Sequence, residues 1–586
     1  MVAGLVWLCL TAALGQTPGA AVDAAWLKSV PADIDVVAQV RGLEPVHDDL
    51  VKMLDATSPA LAAQAKPALQ QLLDQFTGQF GKAASASPFL MMLRLPKADA
   101  LGTPPFGVVV KSSDYPSVLK SLAGPQGDAK PKSEGGGVDS IKGSDGKPVF
   151  TFKGNGFIAF SNDEFLVRAI AKPKATLESA LGASLRSRLL AGDVGLYVNL
   201  AAVQKRYGDE IEQFKQQMLA NMDNPAQAAT NPEMIKAAKS VYSRMFDALK
   251  DGQALVLNFD FDPAGLDMTG EALSRPGTDT AKHLTAKKTS TAETLGKLPA
   301  DLTTYIYFNS GEAMLERLQS WSFQAAGGPG EAPSPEIKKA LDMQREADVK
   351  EMSVASGLGQ QGIKGISVST YADPKKAIEA VTAMAKAIKT SKSPALAAIK
   401  EIKIEPNAQT YHGFTLNRSV ITFDPEKFAQ QQKGVPNASK MLKAIVGDSL
   451  NNWYGTEGKV VVSAVAADWD KAKAEIDSFL TGQGSVGKTA SYQKLRAKLP
   501  AQVNGLVLVS AQGLIQQITQ MLGMLPDTPG VKPAADLPKE PQLLGVAIVG
   551  TTGGVQFQLH APSAAGEVFE KGLAPLLQGV AGKVNQ

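Results

Sequence analysis

The chain has 586 residues, 44% of them hydrophobic and 20% charged, with a formal net charge of +3 at pH 7. That length exceeds what one hydrophobic core sustains, so at least two domains are expected, and the composition is globular rather than disordered. Charges of both signs run along the sequence, which argues against the concentrated basic face of a nucleic-acid binder, and no basic block resembles a tether to anionic membranes.

The first residues, MVAGLVWLCLTAALGQTPGA, hold a short apolar run from Leu5 to Leu14 and then the small residues Ala13 and Gly15 at the positions a signal peptidase reads. The run is too short to cross a bilayer. Residues 1–15 are therefore expected to be a signal peptide, although no Lys or Arg precedes the run; a buried N-terminal helix is the competing reading. Residues 16–28 form an N-terminal lead. Cys9 is the only cysteine and lies inside the signal, and Leu8 before it argues against a lipid anchor. The mature chain then has no disulfide, no thiol nucleophile and no thiolate metal site. No later segment has the apolar length of a transmembrane helix. The expected product is exported, to the periplasm or outside the cell.

One phrase occurs three times: SVPADIDVVAQV at 29–40, KLPADLTTYIYFNS at 297–310 and KLPAQVNGLVLVSA at 498–511. Proline fixes φ and cannot donate to a sheet ladder, so it suits the start of a strand. The runs 35–40, 303–308 and 505–509 read as strands, and 43–54, 312–321 and 514–522 as the helices that follow. A fourth strand–helix unit spans 189–219, with its strand at 195–200. In chain order, 106–122 matches 365–381, each a strand followed by a capping Asp and a helix. Residues 155–171 match 458–476, and the hairpin 253–273 matches 543–561. Asn155-Gly156 marks a further hairpin.

The pairs fall in one order, which predicts an internal duplication: a first half at 29–274, a linker at 275–297 without apolar period, and a second half at 298–562. Residues 563–586 read as a helical tail that Pro575 breaks or kinks. The fold class is α+β: two tandem related halves, each an antiparallel or mixed sheet with helices packed on one face. Tyr305 and Tyr307 share one face of their strand, and Ile306 and Phe308 the other. Segments 124–137, 325–335 and 525–541, rich in Gly and Pro, read as surface loops.

Few motifs carry chemistry. His47, His283, His412 and His560 are scattered and read as surface or loop histidines. The stretch NFDFDPAGLDMTGE at 258–271 overlaps a calcium-loop pattern through Asp260, Asp262 and Glu271. Ala264 stands where a ligand oxygen is needed and the flanks are β-rich, so a turn with solvated acids is the reading. Ser117-Lys120 and Ser491-Lys494 match Ser-x-x-Lys without its companion motifs, and the glycines of GLGQQG at 357–362 have the wrong spacing for a dinucleotide. No catalytic residue, cofactor or metal is assigned.

The Pro-Ala-Asp strand start, the strand VGLYVNL at 194–200 and the hairpin LVLNFDFDPAGLDMTGEA resemble large secreted bacterial proteins of unknown function, of the planctomycete type with Leu-Pro-Ala-Asp strand starts. The resemblance implies an exported, duplicated α+β protein and brings no activity or site residues. The expected function is a non-catalytic binding or structural module of the bacterial cell envelope, its partner an unidentified envelope protein or an apolar ligand. The alternatives are a carrier of an apolar ligand such as lipid held between the halves, and a hydrolase with a dispersed site.

Overall fold

A computed structural model describes residues 24–584 apart from 81–84, 97–103, 125–129, 223–231, 285–287, 310–333, 360–361, 391–397, 432–436 and 523–536. The expected signal peptide 1–15, the expected helix 312–321 and most of the expected loops 325–335 and 525–541 lie outside the described residues. The chain forms two compact units. The first comprises residues up to 215, 246–285 and 551–567; the second comprises 216–245, 286–550 and the residues from 568 on.

The first unit carries β1 (Val36–Val40), β2 (Phe89–Leu93), β3 (Phe106–Val110), β4 (Lys132–Gly135), β5 (Val138–Lys142), β6 (Pro148–Lys153), β7 (Ile158–Ser161), β8 (Val194–Val198), β9 (Gly252–Asp262) and β10 (Gly265–Ser274). The second carries β11 (Thr304–Phe308), β12 (Val349–Gly359), β13 (Gly362–Tyr371), β14 (Ile399–Tyr411), β15 (Phe414–Phe423), β16 (Ser449–Thr456), β17 (Val460–Ala466), β18 (Gly505–Ser510) and β19 (Leu543–Thr551). The strand β20 (Gly554–Pro562) belongs to the first unit and pairs with β10. The helices needed below are α1 (Leu43–Thr57), α2 (Tyr115–Ala123), α3 (Glu164–Ala171), α4 (Leu200–Asn221), α5 (Pro374–Thr390), α6 (Trp469–Thr481) and α7 (Ala511–Leu522).

Every strand pairing among the described residues is antiparallel. The first sheet runs β20–β10–β9–β8–β1–β2–β3–β7–β6–β5–β4. The second runs β19–β18–β11–β12–β13–β17–β16–β15–β14. From β9 to β4 and from β19 to β14 the order is the same.

The registers agree as well. Val36 lies between Leu93 and Val198; Thr304, at the same distance from its Pro-Ala pair, lies between Ser356 and Val509. The Pro-Ala turn is fastened identically in both units. Ala32 N donates to Ala175 O at 3.0 Å and Leu177 N to Val30 O at 2.8 Å; Ala300 N donates to Gly484 O at 2.9 Å and Val486 N to Leu298 O at 2.8 Å. Proline is tolerated there because each makes only an isolated bridge, Pro31 with Thr176 and Pro299 with Ser485. Helix caps repeat too: Asp114 caps α2 by accepting from Ser117 N at 3.1 Å, and Asp373 accepts from Lys376 N at 3.0 Å at the start of α5.

Helices cover both faces of each sheet, which corrects the expectation of helices on one face. Along β2, Leu90 and Met92 pack with Leu166 and Ile170 of α3, whereas Phe89 packs with Leu50 of α1 and with Leu119 and Leu122 of α2. The runs FLMML and FGVVV are apolar at every position, so each of their faces needs cover. In the second unit Tyr305, Tyr307, Ile366 and Val462 join Ala472 and Ile476 of α6, while Val461 packs with Ala377 of α5 on the opposite side.

Two boundaries also move. Trp26 and Leu27, in the expected lead, are part of the first core. Ala292 and Leu295, in the expected linker, are fully buried in the second core. The helix holding Leu295 is one turn long, Glu293–Gly296, too short to show a period in the sequence. The tail is helical over Ser563–Val584, and the helix continues through Pro575.

Candidate functional site

One cleft lies within the second unit and has a volume of about 740 Å³. Helix α6 forms one wall. Asp468 starts that helix by accepting from Lys471 N at 3.0 Å, and Gly482 ends it in a left-handed conformation at φ 66° that favours glycine. Ala472 and Ile476 point into the core. One step around the helix, Lys471, Ala474, Glu475 and Ser478 face the cleft. The turn Pro299-Ala300-Asp301, the start of β13 at Gly362–Lys364, and Ala466 and Ala467 at the end of β17 line it as well.

Alanine and glycine make up nearly half of the walls, and the polar groups among the rest decide the cleft's chemistry. The Lys364 ammonium is ion-paired with Asp301. Lys471 Nζ reaches Asp468 Oδ2 at 3.2 Å. Ser478 Oγ donates to Gln483 O at 2.8 Å. Glu475 is 9% exposed, and its Oε2 is buried without a hydrogen-bond partner. Burial pushes the Glu475 carboxyl up to about 8; Lys364 pulls the other way and Asp301 adds to the rise. The raised value favours the protonated carboxyl, which can donate as well as accept.

Packing does not require an acid at this place. In the first unit Asp163 caps α3 as Asp468 caps α6, and the residue seven positions past the cap is Ile170, buried in the core. In the second unit it is Glu475. The ion pair beside the cleft has an analogue too: Arg94 holds Asp33, of the first Pro-Ala-Asp turn, at 3.0 Å.

The residues singled out in the sequence lie elsewhere. Asp260 is on β9, opposite Asp267. Asp262 sits at the hairpin turn and accepts from Ala264 N at 2.7 Å. Glu271 is six residues up β10 from Gly265, which pairs with Asp262, and this separates the two acids by roughly 20 Å. Contrary to the expectation of solvated acids, Glu271 is buried and accepts from Ser184 Oγ at 2.6 Å and Arg188 Nε at 3.4 Å. Among the described residues no group of three or more His, Cys, Asp or Glu could hold a metal ion.

His560 is likewise not a surface residue. It is buried on β20, with Nδ1 2.7 Å from Asp267 Oδ1 on the neighbouring strand. His412 occupies the turn between β14 and β15, its Nε2 3.8 Å from Asp477. Tyr411 beside it donates to Asp477 Oδ1 at 2.5 Å and meets Trp469 edge-on at 5.8 Å. Neither His412 nor His560 is among the described residues lining the cleft. Of the Ser-x-x-Lys serines, Ser117 Oγ donates to Asp114 at 2.6 Å, and Ser491 Oγ accepts from Leu543 N at 3.0 Å.

A second pocket, of about 380 Å³, lies in the first unit against α4, between Val203, Tyr207, Phe214, Phe246 and Leu249. Its lining is almost wholly apolar. No helix among the described residues is long and apolar enough to cross a membrane. No protein-family model, no curated protein and no solved structure matches the chain.

Proposed function

We propose that this chain is an exported, non-catalytic binding protein of the bacterial cell envelope, made of two related α+β units, with its ligand site in the cleft of the second. The observation that carries this reading is Glu475: a buried carboxyl with an unpartnered oxygen lines the cleft where the first unit has an isoleucine. A polar group kept in such a place lowers stability unless something bonds to it. The shared strand order, register and helix caps support descent of both units from one ancestor. The apolar run and small residues around Gly15 support export.

The hydrolase reading draws on the same carboxyl as a general acid. It then needs a base, and the neighbouring carboxylate, Asp301, is engaged by Lys364. The carrier of an apolar ligand is favoured by one observation, the apolar pocket against α4.

Native mass spectrometry of protein from an envelope fraction, without detergent, tests the reading. The expected spectrum shows a chain that starts at Gln16 and carries an extra mass lost on denaturation. An unprocessed chain overturns export. A bare mass under conditions that preserve weak complexes overturns tight binding.

A further inference from the structure

Helix α4 carries an apolar stripe that no core covers. Leu200, Val203, Tyr207, Ile211 and Phe214 recur at three- and four-residue spacing, yet no residue of α4 is buried. The stripe lines the pocket of about 380 Å³, and the helix Pro232–Asp251 supplies the other wall through Phe246 and Leu249. Both ends of the pocket are closed. At one, Phe214 and Phe246 meet edge-on at 6.2 Å and Lys215 Nζ holds Asp247 Oδ1 at 2.8 Å. At the other, Leu200 lies against Gly252, where a β-carbon would stand 2.6 Å from Leu200 Cδ1. Between them α4 bends, because Tyr207 leaves helical geometry at φ −124° and ψ 17°. Groups that do not line the pocket hold the bend: Tyr207 donates to Pro96 O, and Arg206 pairs with the fully buried Asp35.

The second unit has neither bend nor pocket at the corresponding place. Val198 and Val509 are equivalent by register, and the caps that follow match: Asn199 Oδ1 accepts from Ala202 N at 3.0 Å, and Ser510 Oγ from Gly513 N at 3.2 Å. Tyr207 then corresponds to Ile518 of α7, which runs unbroken over Ala511–Leu522. Gln204, in the pocket lining, corresponds to Ile515, which is fully buried against Gly572 of the C-terminal helix.

We propose that this pocket of the first unit binds a single alkyl chain. The proposal rests on the apolar-ligand reading, names the ligand's chemical class and is independent of the second unit's cleft. Shape and chemistry both select it. The stripe extends over roughly 20 Å of helix at about 1.5 Å per residue. A volume of about 380 Å³ along that length is narrow. A helix lying there, at least about 10 Å across, would need on the order of 1,500 Å³. Apart from the Tyr207 hydroxyl, which is already engaged, the only polar side chains in the lining are Gln204 and Glu210. A ligand with polar groups along its length would leave most of them unpaired, whereas a run of methylenes needs no partner. Glu210 is exposed, so the mouth beside it stays in water and accommodates a head group.

The test is a titration of the full chain, its isoleucine, leucine and valine methyls labelled with carbon-13, with 1-hexanol, 1-octanol and 1-decanol. The expected result is a saturable shift of the Leu200, Val203, Ile211 and Leu249 methyls, with affinity rising about fourfold per added methylene. Val203→Phe fills the pocket; it should weaken 1-decanol binding by about tenfold and leave the urea midpoint of the first unit unchanged or higher. Ile211→Trp fills it from beyond the bend and gives the same loss of binding if Val203→Phe does not fold. Decanoate at pH 8 distinguishes the sources of the chain. Weaker binding than 1-decanol assigns a neutral amphiphile, because Glu210 repels the anion, and tighter binding assigns a free fatty acid. A shift that does not saturate, equal affinity for the three alcohols, or unchanged binding in both variants overturns the proposal. Methyls that shift with protein concentration instead of alcohol show a second copy filling the pocket, which overturns it as well. None of these results bears on the second unit's cleft, whose ligand the adduct mass tests separately.

Discussion

Glu475 stands seven residues past the aspartate that caps its helix, and Ile170 stands seven residues past the capping aspartate of the first unit. One is a buried carboxyl with an unpartnered oxygen, the other a core side chain. The same backbone position thus accepts either, and the acid is the less stable choice.

Glu475→Ile is accordingly expected to stabilise the second unit, by about 1–3 kcal/mol, the penalty typical of a buried polar group without a partner. The check is urea unfolding followed by Trp453 and Trp469, which lie in or against that unit's core. A lower midpoint would show that Glu475 makes contacts that hold the fold.

The pH dependence of stability has a definite sign. The folded carboxyl is raised to about 8 from a reference of 4.5, so between these values the folded state binds more protons than the unfolded state. Stability is full below pH 4.5 and declines as pH rises toward 8, by at most a few kcal/mol for this group. Melting curves of wild type and Glu475→Gln should diverge across that window and run parallel above it. Parallel behaviour throughout would mean that Glu475 ionises normally.

In the first unit Arg41 Nη2 lies 3.3 Å from Asp49 and 3.0 Å from Asp193, and all three side chains are at least nine-tenths buried. Arg41→Ala leaves two buried carboxylates without that cation. The expected loss is about 3–5 kcal/mol, read as a large fall in the urea midpoint of the first unit. Arg41→Met with both aspartates changed to asparagine should recover most of it.

Tyr305 fastens the Pro-Ala-Asp turn. Its hydroxyl donates to Pro299 O at 2.8 Å and accepts from Leu302 N at 3.3 Å. Tyr305→Phe leaves both backbone groups unpaired in a buried place and should lower stability by roughly 1–2 kcal/mol. Protection of the Leu302 amide from hydrogen exchange should drop by a corresponding factor.

Much of the architecture was legible in the sequence because its signals are local. The Pro-Ala starts, the capping Asp114 and the hairpin at Pro263-Ala264 each specify backbone geometry within a few residues, and strands follow where expected. The covering of both sheet faces was available in FLMML and FGVVV, whose residues leave no polar side, but hairpin signals elsewhere suggested an antiparallel or mixed sheet with helices on one face. Glu475 was not visible. In WDKAKAEIDSFLT it sits among charged residues on a helix whose other carboxylates, Asp470 and Asp477, are exposed and part-exposed, and burial by a facing turn and β13 is non-local. A signal did exist: aligning the two helices from their capping aspartates places Glu475 on Ile170. His560 was missed for the same reason, since its partner Asp267 comes from a strand far away in the sequence.

The strand β20 completes the first unit's sheet, yet the chain reaches it only after all nine strands of the second unit. During synthesis β10 therefore waits with one edge unpaired, the condition under which strands recruit the wrong neighbour. Any fragment that stops before Gly554 is permanently in that state, so a version of the first unit cut out at the sequence boundary should aggregate unless β20 is grafted back onto it. The order of assembly differs from the order of translation: the first unit's sheet, begun first, is closed only after the strands of the second unit's sheet have been made.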